Sequence, residues 1–112
     1  MGLVALSGQE PGADVMGAAW ARPLPADNHG YGYVADDVPE LGMAVLPAYR
    51  GQGVGSALLS GLMAQALSEG WTRLSLSVED GNGQARRRYQ RQSFAVVGRA
   101  GDSDTMVASL TR

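Results

Sequence analysis

Gly51, Gly53 and Gly55 alternate through a short segment that leads directly into a helical pattern. Glycines placed there let backbone N–H groups approach a ligand closely, and a helix N-terminus adds unpaired donors and the positive end of the helix dipole. Arg50 adds a permanent positive charge at the start of the segment. The segment therefore suits a phosphate or pyrophosphate group, although a glycine-rich turn that only begins a helix explains the same glycines equally well.

Two common phosphate-binding loops do not fit this segment. A Rossmann loop needs Gly-x-Gly-x-x-Gly, but Ser56 occupies the position of the last glycine. No acidic residue that would hold a ribose follows a second strand about 20 residues further on. A P-loop needs Gly-Lys followed by Ser or Thr, and the chain contains no lysine. Neither nucleotide-binding class is therefore predicted.

Length, charge and the missing cysteine exclude several other classes. The chain has 112 residues, which we assign to one domain, residues 1–112, and its net charge of −2 argues against a nucleic-acid-binding protein. Without cysteine there is no disulfide, thiolate metal ligand or cysteine nucleophile, and the single His29 cannot build a histidine-rich metal site. No apolar run approaches the roughly 20 residues of a membrane span, and the apolar start is too short for a signal peptide. We predict a cytoplasmic protein that binds neither nucleic acid, membrane nor metal.

Hydrophobic periodicity divides the chain into short strands and two helices. Apolar residues recur every three or four positions from Gly55 to Glu69, and Asn82 is placed to cap a second helix that ends near Arg91. Pro25–Asn28 is predicted to be a loop. The predicted strands and extended segments are Leu3–Ser7, Val15–Pro23, Gly30–Val34, Leu41–Leu46, Arg73–Glu79, Phe94–Gly98 and Thr105–Leu110, the last two forming a hairpin. This order predicts an α/β or α+β domain, mostly sheet with two helices.

Two motifs in chain order resemble those of a known family. The first lies within Glu40–Leu59 and is an Arg-x-x-Gly-x-Gly signature made by Arg50, Gly53 and Gly55. The second is an Asn-x-x-Ala-x-x-x-Tyr pattern followed by phenylalanine, comprising Asn82, Ala85, Tyr89 and Phe94. Together they resemble the GNAT superfamily of acyl-CoA-dependent N-acetyltransferases over about residues 40–97. The resemblance implies a GNAT-like mixed central sheet flanked by two helices.

The same resemblance implies a binding site for acetyl-CoA as co-substrate, with no metal. In this family the strand before the glycine loop pairs with the pantetheine arm, and the loop amides hold the pyrophosphate. Carried over to this chain, the residues expected to bind acetyl-CoA are Met43, Ala44, Val45, Arg50, Gly51, Gln52, Gly53, Val54, Gly55, Ser56, Asn82 and Ala85.

The implied reaction is direct attack of an amine on the acetyl thioester, through a tetrahedral intermediate and without an acyl-enzyme. Tyr89 occupies the family's usual position for the general acid, and Glu40 is the expected base, while a backbone N–H near Val45 would stabilise the oxyanion. Simpler interpretations stay open: Tyr89 could be a core residue with its hydroxyl at the rim, Glu40 a solvated carboxylate, and Asn82 only a helix cap.

Other polar residues have weaker candidate roles. Asp36 and Asp37 could attract a cationic acceptor, whereas His29 is expected to be a surface imidazole. Arg86–Arg88 and Arg91 form a basic helix face that is usually solvated, but the resemblance places this helix near the nucleotide, so one arginine could meet the 3′-phosphate.

The chain departs from the family pattern at two places. Ser93 stands where the family usually has glycine, at a position expected to be left-handed. At the front, the first strand and helix pair of full-length members are expected to be missing, so the acceptor side is incomplete. An uncovered apolar face and an unpaired sheet edge favour a homodimer.

A non-enzymatic alternative is an acyl-CoA-binding module without turnover that acts as a sensor or assembly partner. The acceptor amine is open between a polyamine, an aminoglycoside, an amino acid and a protein terminus, and the acyl length is open as well.

Overall fold

The computed structural model describes residues 1–8, 11–23, 35 and 38–111. The predicted loop at residues 25–28, the extended segment at 30–34, and the candidates His29, Asp36 and Asp37 lie outside these residues. The described part contains six strands and two α-helices, which are β1 Gly2–Leu6, β2 Val15–Arg22, β3 Glu40–Val45, α1 Val54–Ser68, β4 Arg73–Glu79, α2 Gly83–Arg91, β5 Ala95–Ala100 and β6 Ser103–Ser109.

All six strands belong to one sheet in the order β1-β2-β3-β4-β6-β5. Neighbouring strands are antiparallel except β3 and β4, which are parallel. This is the mixed sheet with two helices that the sequence and the resemblance predicted, so the predicted fold class is confirmed. The parallel pair contains one matched position, Glu40 with Ser75, and the two strands therefore diverge toward their carboxyl ends.

Helix α1 packs on one face of β1, β2 and β3 and supplies the largest part of the core. Its buried side chains recur at the predicted helical spacing, and Leu59 and Leu62 have no exposed surface. The predicted alternation in β4 is also confirmed, since Leu74, Leu76 and Val78 are buried on the same side. Each such leucine contributes about 2 kcal/mol by leaving water.

Several element ends differ from the prediction for local reasons. β2 ends at Arg22 because Pro23 has no N–H to donate to the sheet. β6 starts at Ser103 because the hairpin turn is short and uses Gly101 with a φ of 58°. Phe94 lies before β5 rather than within it. Its backbone N–H donates to Tyr89 O at 3.0 Å, and this hydrogen bond caps the C-terminal end of α2.

Apolar side chains remain exposed on the sheet face opposite α1 and on the edge strand β5. Val4 is 60% exposed and Trp20 46%, and Val96 and Val97 on β5 are exposed as well. These are the uncovered face and free edge on which the homodimer was predicted, and the homodimer itself stays a prediction.

Candidate active site

A cleft of about 600 Å³ opens at the end where β3 and β4 have diverged. Its walls come from the end of β3, the glycine loop, the first turn of α1 and one face of α2. The lining residues are Met43, Ala44, Val45, Tyr49, Arg50, Gly51, Gly53, Val54, Gly55, Ser56, Asn82, Gln84, Ala85, Arg88, Tyr89 and Arg91.

The glycine loop ends in a helix N-terminus with unpaired amides. Gly53 is the N-cap of α1 and adopts a left-handed conformation with a φ of 83°, which glycine tolerates without strain. The first bond that closes the helix runs from Ala57 N–H to Gly53 O at 3.0 Å, so the amides of the three preceding residues have no intrahelical acceptor. No side chain caps this end and its first turn carries no acidic residue. These amides can therefore bind an anion.

The last residue of β3 directs its backbone toward the cleft. Leu46 N–H donates to Met16 O, on the β2 side, at 2.8 Å. Because the N–H groups of adjacent strand residues point in opposite directions, the N–H of Val45 points away from β2, into the gap between the diverging ends of β3 and β4. Arg50 Nε donates to Val45 O at 3.3 Å, which holds this arginine at the cleft. The N–H of Val45, which has no partner on β2, can pair with an extended ligand or stabilise an oxyanion.

Asn82, Ala85 and Tyr89 share one face of α2, as their spacing predicted. Asn82 Oδ1 accepts from Ala85 N at 3.3 Å, which confirms the predicted N-cap. Ala85 is 9% exposed and Tyr89 8%, and the Tyr89 ring packs at 59° against Phe94 with centroids 5.9 Å apart. Ala85 and Tyr89 therefore lie in a well-packed wall of the cleft, as predicted.

Burial further favours the protonated form of Tyr89. Removal from water raises the pKa of its hydroxyl above the ordinary value of 10.0, and the charge of Arg88 opposes this rise. The hydroxyl therefore carries its proton throughout the neutral range and can act as a hydrogen-bond donor or an acid.

The charged residues that line the cleft are all positive: Arg50, Arg88 and Arg91, with no aspartate or glutamate among the lining residues. Two other arginines of α2 point elsewhere. Arg86 bonds to Asp104 on β6, and Arg87 is exposed beside Gly83. The arginines of this run therefore do not form one solvated face. Arg88 and Arg91 line the cleft, whereas Arg86 and Arg87 lie outside it.

Glu40 and Gln52 are the two predicted site residues that do not line the cleft. The Gln52 side chain donates to Ala48 O at 3.2 Å instead. Glu40 begins β3, five residues from Val45, or about 16 Å along the strand. Its Oε1 is buried without a hydrogen-bond partner in the part of the chain that the structure describes. Glu40 thus lies at the closed end of the gap whose open end is the cleft.

Tyr49 and Gln84 line the cleft but were not predicted as site residues. Arg88 and Arg91 were predicted only as members of a basic run from which one arginine could meet the 3′-phosphate. Gln84, Arg88 and Arg91 are spaced as i, i+4 and i+7 on α2, and this helical spacing was the available signal. Tyr49 donates from its hydroxyl to Asp14 Oδ2 at 3.2 Å, and this hydrogen bond raises the pKa of Tyr49.

These donors suit the two parts of a coenzyme A ligand. Unpaired amides at the start of α1 and three arginines match a pyrophosphate, and the gap beside Val45 matches an extended arm. Among the described residues there is no group of three or more acidic or histidine side chains that could hold a metal. The helices of the described part are also too short or too polar to span a membrane.

Comparison with known proteins gives a consistent result. The sequence profile of the acetyltransferase (GNAT) family matches residues 2–94. Mycothiol acetyltransferase from Corynebacterium aurimucosum is 30% identical over 88 residues, 75% of this chain and 29% of that protein. The chain therefore spans less than a third of the length of this relative.

Two solved structures share the fold. The N-acetyltransferase from Staphylococcus aureus Mu50 superposes with a TM-score of 0.75 at 20% identity, covering 91% of this chain and 65% of that one. A GNAT superfamily phosphinothricin acetyltransferase from Sinorhizobium meliloti, solved in complex with acetyl-CoA, superposes with a TM-score of 0.77 at 22% identity and covers 97% and 60%.

Proposed function

The chain belongs to the acetyltransferase (GNAT) family, as its two motifs predicted, and on this premise we propose that it transfers an acetyl group from acetyl-CoA to an amine. One observation carries the proposal: a single cleft contains both the unpaired amides at the start of α1 and the protonated hydroxyl of Tyr89. The first group suits the phosphates of a coenzyme A ligand and the second suits proton transfer at its thiol end.

We propose that two regions of the cleft bind the two ends of the substrate. Residues 50–56 would hold the pyrophosphate through backbone amides and Arg50. Met43 to Val45 would pair with the pantetheine arm, because the N–H of Val45 faces the gap. Ala85 would leave room beside Tyr89, and Asn82 would contact the ligand in addition to capping α2.

When bound, acetyl-CoA supplies a thioester that an amine can attack directly. Tyr89 is the proposed acid, because it lines the cleft and its hydroxyl carries a proton at neutral pH that the leaving thiolate can take. Glu40 is the proposed base. An alkyl amine is mostly protonated near neutral pH, and the buried Oε1 of Glu40 has no donor among the described residues. Because Glu40 lies outside the cleft lining, it would accept that proton through a chain of water molecules. The N–H of Val45 is the proposed oxyanion donor.

The binding part of the proposal is tested by thermal unfolding with and without acetyl-CoA. Ligand at about 100 times its Kd stabilises a protein by roughly 2.7 kcal/mol, a shift of several degrees for a domain of this size. Gly53→Val should abolish the shift. Gly70→Val is the matched control. Both glycines have a positive φ (83° and 92°), and a Cβ added at either would meet no atom within 4 Å, so the two substitutions impose a similar backbone strain. Gly70, however, lies at the far end of α1, away from the cleft.

Turnover is tested by release of free thiol from acetyl-CoA in the presence of a panel of amines. Release with at least one amine supports the enzyme. Binding without release from any amine favours the alternative, an acyl-CoA-binding module that acts as a sensor or assembly partner. No thermal shift in a folded sample contradicts both.

The proposal includes a cytoplasmic location and a homodimer. The exposed Val4 and Trp20 on the sheet face opposite α1 support association. Light scattering tests the dimer, and a monomer mass at working concentration would contradict it. Cell fractionation tests the location.

A further inference from the structure

Helix α2 places a cation directly on the first turn of α1. A Cβ built on Gly55 would lie 2.9 Å from Arg88 Cζ, 3.0 Å from Nη1 and 3.1 Å from Nε. Any side chain at position 55 would therefore push the guanidinium away. Gly55 lies within α1 and does not have a positive φ. Its backbone conformation does not require glycine, and the missing side chain leaves the space that the guanidinium of Arg88 occupies.

The guanidinium of Arg88 has no anionic partner in the part of the chain that the structure describes. Arg86 and Arg99 both pair with Asp104, whereas Arg88 lies in a cleft whose lining carries no carboxylate. A cation beside a helix N-terminus is electrostatically unfavourable, because the helix dipole is positive there. Such an arrangement becomes favourable when an anion binds to the helix amides and the cation together.

We propose that Arg88 binds the pyrophosphate at the start of α1, and that the absence of a side chain at Gly55 lets its guanidinium reach this position. This inference rests on the proposed function, since it assigns a residue within the same site. Arg88 then binds the anion from the α2 side while the amides of α1 bind it from the other. The bound anion would then link α2 to α1, and the position of Tyr89 on α2 would depend on the ligand.

The first test is the Kd of coenzyme A for Arg88→Ala, measured by calorimetry. Loss of one charge-assisted contact is expected to raise Kd about 10- to 100-fold. Arg87→Ala is the matched control, because Arg87 has the same charge on the same helix but is exposed and outside the cleft lining. An Arg88→Ala Kd equal to that of Arg87→Ala would overturn the inference.

The role of Gly55 is tested by a double-mutant cycle. Alanine is a strong helix former, so Gly55→Ala should fold normally, and it should weaken coenzyme A binding by displacing Arg88. In an Arg88→Ala background the same substitution should change Kd by less than about twofold. If Gly55→Ala weakens binding equally in both backgrounds, glycine serves the approach of the ligand rather than of Arg88, and this part is wrong.

A second ligand separates the two phosphate positions. With 3′-dephospho-coenzyme A, which retains the pyrophosphate, Arg88→Ala should weaken binding by the same factor as with coenzyme A. If the effect disappears, Arg88 belongs to the 3′-phosphate and the proposal is overturned. Wild-type protein that binds neither ligand would contradict the proposed function itself, whereas wild-type binding with an unaffected Arg88→Ala variant contradicts only this inference.

Discussion

Glu40 and Ser75 form the one matched pair between β3 and β4 in the described part of the chain. The backbone N–H and the hydroxyl of Ser75 both donate to Pro39 O, at 3.0 and 3.4 Å, which fixes the two strands together at this end. Beyond this pair the strands diverge, and the cleft lies at the open end. The parallel pair in an otherwise antiparallel sheet is therefore what creates the site, and Glu40 stands at its closed end.

Glu40→Gln is predicted to lower kcat/KM by about 100-fold or more near neutral pH, because glutamine cannot accept the proton of the amine. The affinity for acetyl-CoA should not change, since Glu40 does not line the cleft. The unfolding midpoint should stay equal or rise, because a neutral amide replaces a buried carboxylate oxygen that has no donor. Thiol release and thermal unfolding measure the two effects. Unchanged kcat/KM would show that Glu40 is not the base.

Tyr89→Phe is predicted to lower kcat about 100-fold while leaving the Kd of acetyl-CoA close to the wild-type value. The substitution removes only the hydroxyl, so the ring contact with Phe94 and the stability of the domain should survive. Steady-state rates and calorimetry separate the two quantities. Equal losses in binding and rate would instead indicate a structural role for the hydroxyl.

Titration of Tyr89 gives a further check with a definite sign. Because burial raises the pKa of this hydroxyl in the folded state, its contribution to stability is fully present below pH 10 and is lost as pH rises beyond that value. We expect an absorbance titration of tyrosinate in the folded protein to show one ionisation above pH 10 in the wild type that is absent from the Tyr89→Phe variant. A lost component below pH 10 would contradict the desolvation argument.

Asp104 is predicted to stabilise the fold in a pH-dependent way. Hydrogen bonds from Arg86 and then Arg99 hold the pKa of Asp104 below its ordinary value of 3.8. A lowered folded pKa gives stability that is present above about pH 4 and is lost as pH falls through the folded pKa. Asp104→Asn should therefore lower the unfolding midpoint at pH 7, and the difference from wild type should shrink below pH 4. A difference that is constant with pH would contradict this.

Asp102→Asn is the control for this experiment. Asp102 is exposed, lies in the same hairpin, and forms no ion pair among the described residues. Its replacement removes the same formal charge, so it should leave the midpoint nearly unchanged at both pH values.

The elements that were best predicted from sequence are those whose large apolar residues recur at a regular spacing. Most leucines of α1 and the three apolar residues of β4 are buried at the predicted spacing, and the limits of both elements were predicted to within one residue. β5 has no such pattern, because its side chains are almost all exposed, and its predicted span Phe94–Gly98 starts one residue early and ends two residues early. Phe94 is buried for another reason: it closes the end of α2.

The site was predictable where it depends on local chain geometry. The glycine loop and the face of Asn82, Ala85 and Tyr89 are short-range patterns, and they line one cleft. The contact between Arg88 and Gly55 depends on where the sheet places α2 relative to α1, which spacing within either helix does not determine. The position of Gln52 in the loop predicted a place in the site, but the left-handed residues on either side turn its side chain away.

Ser93→Gly is predicted to stabilise the protein by about 0.5–1 kcal/mol, roughly 2–5 °C in Tm. Ser93 has a φ of 70°, and its N–H donates to Gln90 O while that of Phe94 donates to Tyr89 O, the two bonds of a Schellman ending. Glycine keeps both bonds without the strain of a side chain in the left-handed region. Gln92→Gly is the control: its φ of −97° suits any residue, so glycine there should cost about 0.5–1 kcal/mol. If both substitutions shift Tm in the same direction, the gain cannot come from relief of strain at Ser93.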